Sequence, residues 1–189
     1  MRLFVAINLP PTIREAIYAD AAPLRAATNA VKWVSAPLLH VTLKFLGERS
    51  DTLVPDLARA LATVSVRHDP IDVRTTEIGA FPNFRRARVV WVGMTGEAAL
   101  RALAHGIDQT FEQLGIPAES RAFRAHLTLG RVKGEMKPDD ARSLAAAAEL
   151  AWEPRGFSVR TVDLMHSELG PGGPRYSVLS AAPLHRRGT

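Results

Sequence analysis

His40-Val41-Thr42-Leu43-Lys44-Phe45-Leu46-Gly47 opens with a tetrapeptide pattern that returns as His126-Leu127-Thr128-Leu129, followed there by Gly130-Arg131. Both runs have the β-branched and apolar content of short strands. Side chains alternate faces along a strand, so the histidine and threonine of each motif share one face. Val41, Leu43, Leu127 and Leu129 then point the other way into apolar packing. Brought side by side by a pseudo-two-fold arrangement, the two runs place two imidazoles and two hydroxyls around one cleft.

A lone histidine in an apolar strand is more often structural than functional, and it is the repetition that gives this pair weight. Paired imidazoles suit phosphodiester chemistry: one takes a proton from an attacking water while the other gives a proton to a leaving ribose oxygen. Their unperturbed pKa near 6.5 allows both tasks close to neutrality. Hydroxyls beside them can hydrogen-bond the non-bridging oxygens. A metal site is disfavoured, because there is no His-Glu-x-x-His helix, no cysteine and no acidic cluster beside either motif.

Outward from the motifs, Met1–Leu9 reads as a strand. Pro10-Pro11 opens a helix from Thr12, a candidate N-cap, to about Ala27. Val31–Val34 is a short strand, and Gly47 closes the one begun at His40. Asp51 to about Val66 reads as a helix, Ile71–Ile78 and Ala87–Met94 as strands joined by the loop Phe81-Pro82-Asn83-Phe84, and Glu97–Leu114 as a helix ended by Gly115. A strand over Phe123–Val132, a helix over Pro138–Leu150, and strands over Phe157–Ser167 and Tyr176–Ala181 follow, with Gly170–Pro174 as a loop. This order lacks the regular alternation of a doubly wound fold, so an α+β body with antiparallel sheets is expected. With 189 residues and no dividing linker, residues 1–189 read as one two-lobed domain.

The net charge of +5 favours an anionic partner, nucleic acid foremost, although an arginine-rich soluble protein looks the same by charge alone. The absence of cysteine excludes disulfides, a thiol nucleophile and cysteine-held metals. The apolar start is too short for a signal peptide, and no run approaches a membrane span, which leaves the cytoplasm as the expected compartment.

The chain resembles the two-histidine phosphoesterases, and among them the RNA 2′,3′-cyclic phosphodiesterases once called 2′-5′ RNA ligases. The likeness rests on Arg2–Ile7, Trp33-Val34, both His-x-Thr-Leu runs with their flanks, Gly79-Ala80-Phe81-Pro82, Val90-Trp91-Val92-Gly93 and Leu169–Tyr176. It implies a bilobed α+β fold, with a pseudo-two-fold pair of antiparallel sheets flanked by helices around a central cleft. It also implies hydrolysis of RNA 2′,3′-cyclic phosphate ends, or a small cyclic nucleotide, to 2′-phosphomonoesters without metal or other cofactor. A monomer is the expected state, although nothing in the sequence reveals it. His40 becomes the proton donor, His126 the acceptor, and Thr42 and Thr128 the phosphate ligands. Ligation, the reverse reaction, is a side activity.

Arg131 suits phosphate as a planar guanidinium, and the resemblance places an arginine there. Strict alternation from His126 sends it to the wrong face unless a bulge or strand end near Gly130 turns it. Lys44 shares parity with His40 and Thr42, which makes it either a cation at the cleft rim or a solvated lysine. Phe81, Phe84 and Tyr176 lie in or beside loops where a ring could stack on an RNA base; Phe81 reads chiefly as a packing residue, and Tyr176 suits stacking and core packing equally. Arg85, Arg86 and Arg88 either follow an RNA backbone or protect a hairpin edge with charge. His185-Arg186-Arg187 reads as frayed surface, and His68, His105 and His166 carry no assigned role. Competing readings are another two-histidine phosphoesterase, acting on 2′-5′ oligoadenylate, an ADP-ribose cyclic phosphate or a 3′ RNA end, and a non-catalytic RNA-binding module.

Overall fold

The structure is a computed structural model that describes residues 1–150, 152–171 and 173–185. Its strands are β1 (Arg2–Asn8), β2 (Val31–Trp33), β3 (His40–Glu48), β4 (Ile71–Phe81), β5 (Val89–Met94), β6 (His126–Val132), β7 (Gly156–Val159), β8 (Thr161–Gly170) and β9 (Gly173–Pro183). Its helices are α1 (Pro11–Asp20), α2 (Ala22–Ala27), α3 (Val54–Ser65), α4 (Glu97–Glu112) and α5 (Pro138–Ala148). The strands form two antiparallel sheets, one in the order β3-β1-β8-β9 and one in the order β2-β6-β5-β4-β7. The expected α+β architecture is present.

The apolar runs without alternation become the inner strands. Leu3–Ile7 of β1 and Val90–Met94 of β5 are buried residue after residue, because each strand has neighbours on both edges and cover on both faces. α3 and α4 pack together against the four-stranded sheet, while α5 packs against α2 and β4 beside the five-stranded one. One apolar core runs through both halves, joining Val5 and Ile7 of β1 to Val92 of β5 and Leu127 of β6. No helix among the described residues is long and apolar enough to cross a membrane.

Several local expectations change. Thr12 is not the N-cap: Pro10 holds that place with its carbonyl accepting from Ile13 and Arg14, and the helix breaks at Ala21. Asp51–Leu53 forms a 3-10 turn before α3, and Phe123–Ala125 lies outside any strand. The run Phe157–Ser167 divides at Arg160, and its parts enter different sheets: β7 pairs with β4, and β8 with β1. The glycine-rich loop is shorter than expected, since Gly170 pairs with Gly173. Gly172 lies outside the described residues. So do Arg186 and Arg187, whereas the His185 amide donates to the His68 carbonyl.

Candidate active site

The two motif strands share an irregularity as well as a sequence. In the β1–β3 ladder, Lys44 stands opposite Val5 and Thr42 opposite Ala6, so Leu43 is an extra residue. In the β5–β6 ladder, Gly130 stands opposite Val90 and Thr128 opposite Trp91, and Leu129 is the extra residue. A bulge of this kind shifts the alternation by one. Leu43 and Lys44 are accordingly both buried, as are Leu129 and Gly130, while Phe45 and Arg131 come out on the exposed side. β3 and β6 lie alongside each other where the two sheets meet.

These bulges settle two questions of parity. Arg131 is returned to the side of His126, close enough that its charge acts on both histidines. Lys44 goes the other way. It is neither a rim cation nor solvated: its ammonium is buried, ion-paired with Asp108 of α4, and donates to the Pro117 carbonyl at 2.8 Å. Gly130, the counterpart of Lys44, has no room for a side chain, since a Cβ there would lie 2.5 Å from Val31 and 2.9 Å from the Trp33 ring.

Each imidazole is fixed by a carbonyl two residues upstream. His40 Nδ1 bonds Leu38 O at 2.8 Å, and His126 Nδ1 bonds Arg124 O at 2.7 Å. A carbonyl only accepts, so Nδ1 carries the hydrogen in the neutral ring and Nε2 is left as the free base. His40 Nε2 lies 3.1 Å from Thr42 Oγ1. Aromatic rings flank both histidines. Tyr176 meets His40 edge-on at 5.2 Å, with Phe4 at 5.1 Å, and Phe81 meets His126 edge-on at 5.1 Å, with Trp91 at 6.4 Å. A Cβ on Gly79 would fall inside the Trp91 ring, so that glycine leaves the ring its place beside Phe81.

Burial is the main cause lowering the pKa of both histidines, partly offset by the carbonyl each one bonds. Cations lower them further: Arg14 and Arg131 act on His40, and Arg124 and Arg131 on His126. Arg14 reaches from α1 to donate to Pro37 O and Asn8 Oδ1, both at 2.8 Å. Asn8, opposite His40 in the ladder, donates to Asp163 at 2.7 Å. Burial raises the pKa of Asp163, against the Asn8 hydrogen bond and the charge of Arg14.

Sequence reasoning missed Arg14, Arg124, Asn8 and Asp163. The placement of Arg124 two residues before His126 was the only local signal among them. Phe81 packs on Trp91 and His126, and Phe84 packs against the main core. His105 and His166 lie on α4 and β8 and take no part in these contacts. Among the described residues, no three histidine or carboxylate side chains gather where they could hold a metal ion.

The family model described as the 2′-5′ RNA ligase superfamily matches residues 10–171. The RNA 2′,3′-cyclic phosphodiesterase of Methanothermobacter thermautotrophicus is 31% identical, over 94% of this chain and 95% of its own. That of Archaeoglobus fulgidus is 34% identical, over 95% and 98%. Among solved structures, TT0787 of Thermus thermophilus superposes with a TM-score of 0.79 at 31% identity, over 97% of this chain and 98% of that one. E. coli LigT complexed with 3′-AMP gives 0.73 at 28% identity, with 98% of both chains covered. Fold, duplicated histidine strands and family match agree, and the chain belongs to the 2′-5′ RNA ligase superfamily.

Proposed function

We propose that this protein is an RNA 2′,3′-cyclic phosphodiesterase, opening the cyclic phosphate at an RNA end to a 2′-phosphomonoester. The observation that carries the reading is the doubling of the whole local device. Two His-x-Thr-Leu strands share one burial pattern, one bulge position and one Nδ1–carbonyl bond, and the charge of Arg131 acts on both histidines. A binding module would need the cations but not two oriented proton-transfer groups.

In this mechanism water attacks phosphorus and His126 Nε2 takes its proton as the new P–O bond forms. The P–O3′ bond breaks, and protonated His40 gives its Nε2 proton to O3′. The Thr42 and Thr128 hydroxyls and the Arg131 guanidinium hold the non-bridging oxygens, with Tyr176 against the nucleoside. A ribose 5′-hydroxyl in place of the water gives a 2′-5′ linkage, the ligation side activity. Both histidines come from one chain, and one apolar core joins the two sheets, which supports a single two-lobed domain acting as a monomer.

The test is incubation of purified protein with a short RNA ending in a 2′,3′-cyclic phosphate, with chelator present, followed by identification of the product. A 2′-phosphomonoester is expected. A 3′-phosphomonoester, or turnover only after a divalent ion is restored, would refute the mechanism.

A further inference from the structure

The connection between β4 and β5 places Arg85, Arg86 and Arg88 on an exposed tip, and none of the three enters an ion pair among the described residues. Protecting a sheet edge accounts for part of such charge, since β7 pairs with β4 only over Ile71–Arg74 and leaves the Ile78–Phe81 end paired with β5 alone. β5, on the other side of the tip, lies between β6 and β4 and has no open edge. The tip is also well fixed. Asn83 Oδ1 accepts from the Arg86 amide at 3.1 Å, the Arg88 amide donates to Phe81 O at 2.8 Å, and the Val132 amide to Arg88 O at 3.0 Å.

Between this tip and the start of α5 lies a cavity of about 810 Å³, lined among others by Phe84, Arg85, Arg86, Glu135, Met136 and Arg142. Its size falls in the range of small-molecule sites, roughly 300–1,000 Å³. Phe84 and Met136 supply apolar surface for a base, and Arg85 and Arg86 supply unpaired cations for phosphate. Glu135 is the opposing charge. Arg142 is already paired with Asp139, although that pair is exposed and weak.

The cavity does not contain the histidines, but the chain that lines it leads back to them. Phe81, whose ring packs on His126, is three residues from Phe84, a separation of at most about 11 Å along the chain. Arg131 stands opposite Val89, and the next residue of β6 bonds the Arg88 carbonyl. Arg131, Arg88, Arg85 and Arg86 are therefore near one another along the backbone at this end of the sheet.

We propose that this cavity is a second RNA subsite, which takes a nucleotide on the 5′ side of the cyclic end, with its base on Phe84 and Met136 and its phosphate against Arg85 and Arg86. The inference rests on the phosphodiesterase reading for its substrate. A single strand leaving the cleft meets here the combination that non-specific RNA sites use, cations for the backbone and apolar surface for bases.

The test compares wild type with Arg85→Ala/Arg86→Ala in two measurements. The first is binding of a 5′-labelled single-stranded RNA ending in a 2′-phosphate, followed by fluorescence anisotropy across a salt series. The variant should bind roughly 3–30-fold more weakly, with a log–log salt slope shallower by about 1.4, as expected for two lost single-strand phosphate contacts. Unchanged affinity and slope would overturn the subsite. The second measurement is turnover of an RNA oligonucleotide against a 2′,3′-cyclic mononucleotide. KM should rise for the oligonucleotide only, and an equal loss on both substrates would also overturn the proposal. If wild type turns over neither, the phosphodiesterase reading fails while the binding series still decides the subsite.

Discussion

Arg14 and Arg124 give the two imidazoles separate electrostatic neighbours, while Arg131 is common to both. Each cation lowers the pKa of its histidine, so removing one raises it and moves the pH-activity limb of that histidine to higher pH. The proposed mechanism needs one protonated and one neutral ring, so the profile is expected to be bell-shaped. With both rings lowered from 6.5, the optimum of kcat/KM is expected on the acid side of that value. Arg14→Gln should move the basic limb upward if His40 is the donor, and Arg124→Gln the acidic limb, while Arg14→Lys keeps the charge and stays near wild type. A profile unmoved by Arg14→Gln would show that this cation does not govern His40. His40→Ala and His126→Ala should each cost roughly 10²–10⁴-fold in turnover with the fold intact by circular dichroism. A substrate with a better 3′ leaving group should rescue only His40→Ala, and rescue of His126→Ala instead would exchange the two roles.

Within β3 the bulge at Leu43 decides more than direction, because it commits a lysine to the interior. Lys44 is almost fully buried, with its charge answered by Asp108. Removing one member of a buried pair leaves an uncompensated charge, so Asp108→Ala should cost about 3–5 kcal/mol in urea denaturation, and Lys44→Met less. A cost below about 1 kcal/mol for Asp108→Ala would show that Lys44 finds water or another partner. The strands themselves were legible in the sequence because alternation in His-x-Thr-Leu is local. The bulges were not, since an extra residue in a ladder depends on the partner strand and changes nothing in the motif's own pattern. For the same reason Lys44 was misjudged, while the turn that Arg131 required had at least Gly130 as a sign. Arg14 had no local sign, because its partners Asn8 and Pro37 meet it only once α1 folds back over the end of β1.

Across the whole molecule, the two lowered histidine pKa values tie stability to acidity. Below about pH 6.5 the unfolded chain binds more protons at these sites than the folded chain, so stability is fully present above that value and falls as the pH drops through the lowered values. The raised Asp163 acts in the opposite sense above its usual value of 3.8. Urea midpoints should therefore decline from pH 7 toward 5, and a variant with both histidines replaced by glutamine should lose most of that decline. An unchanged slope would place the acid sensitivity elsewhere. The α+β class and the order of elements were readable from punctuation by proline and glycine. Membership of the sheets was not, since Phe157–Ser167 contains no breaker at Arg160 and yet serves both sheets. That late crossing matters during synthesis. β1 gains β3 as a neighbour early, but its other edge waits for β8, which begins at Thr161. At about 5–20 residues per second, a ribosome needs roughly 6–23 s to pass from Glu48 to Thr161. For that interval the nascent chain carries an apolar strand with one bare edge, the kind of surface that chaperones bind and that stalled translation would leave to aggregate.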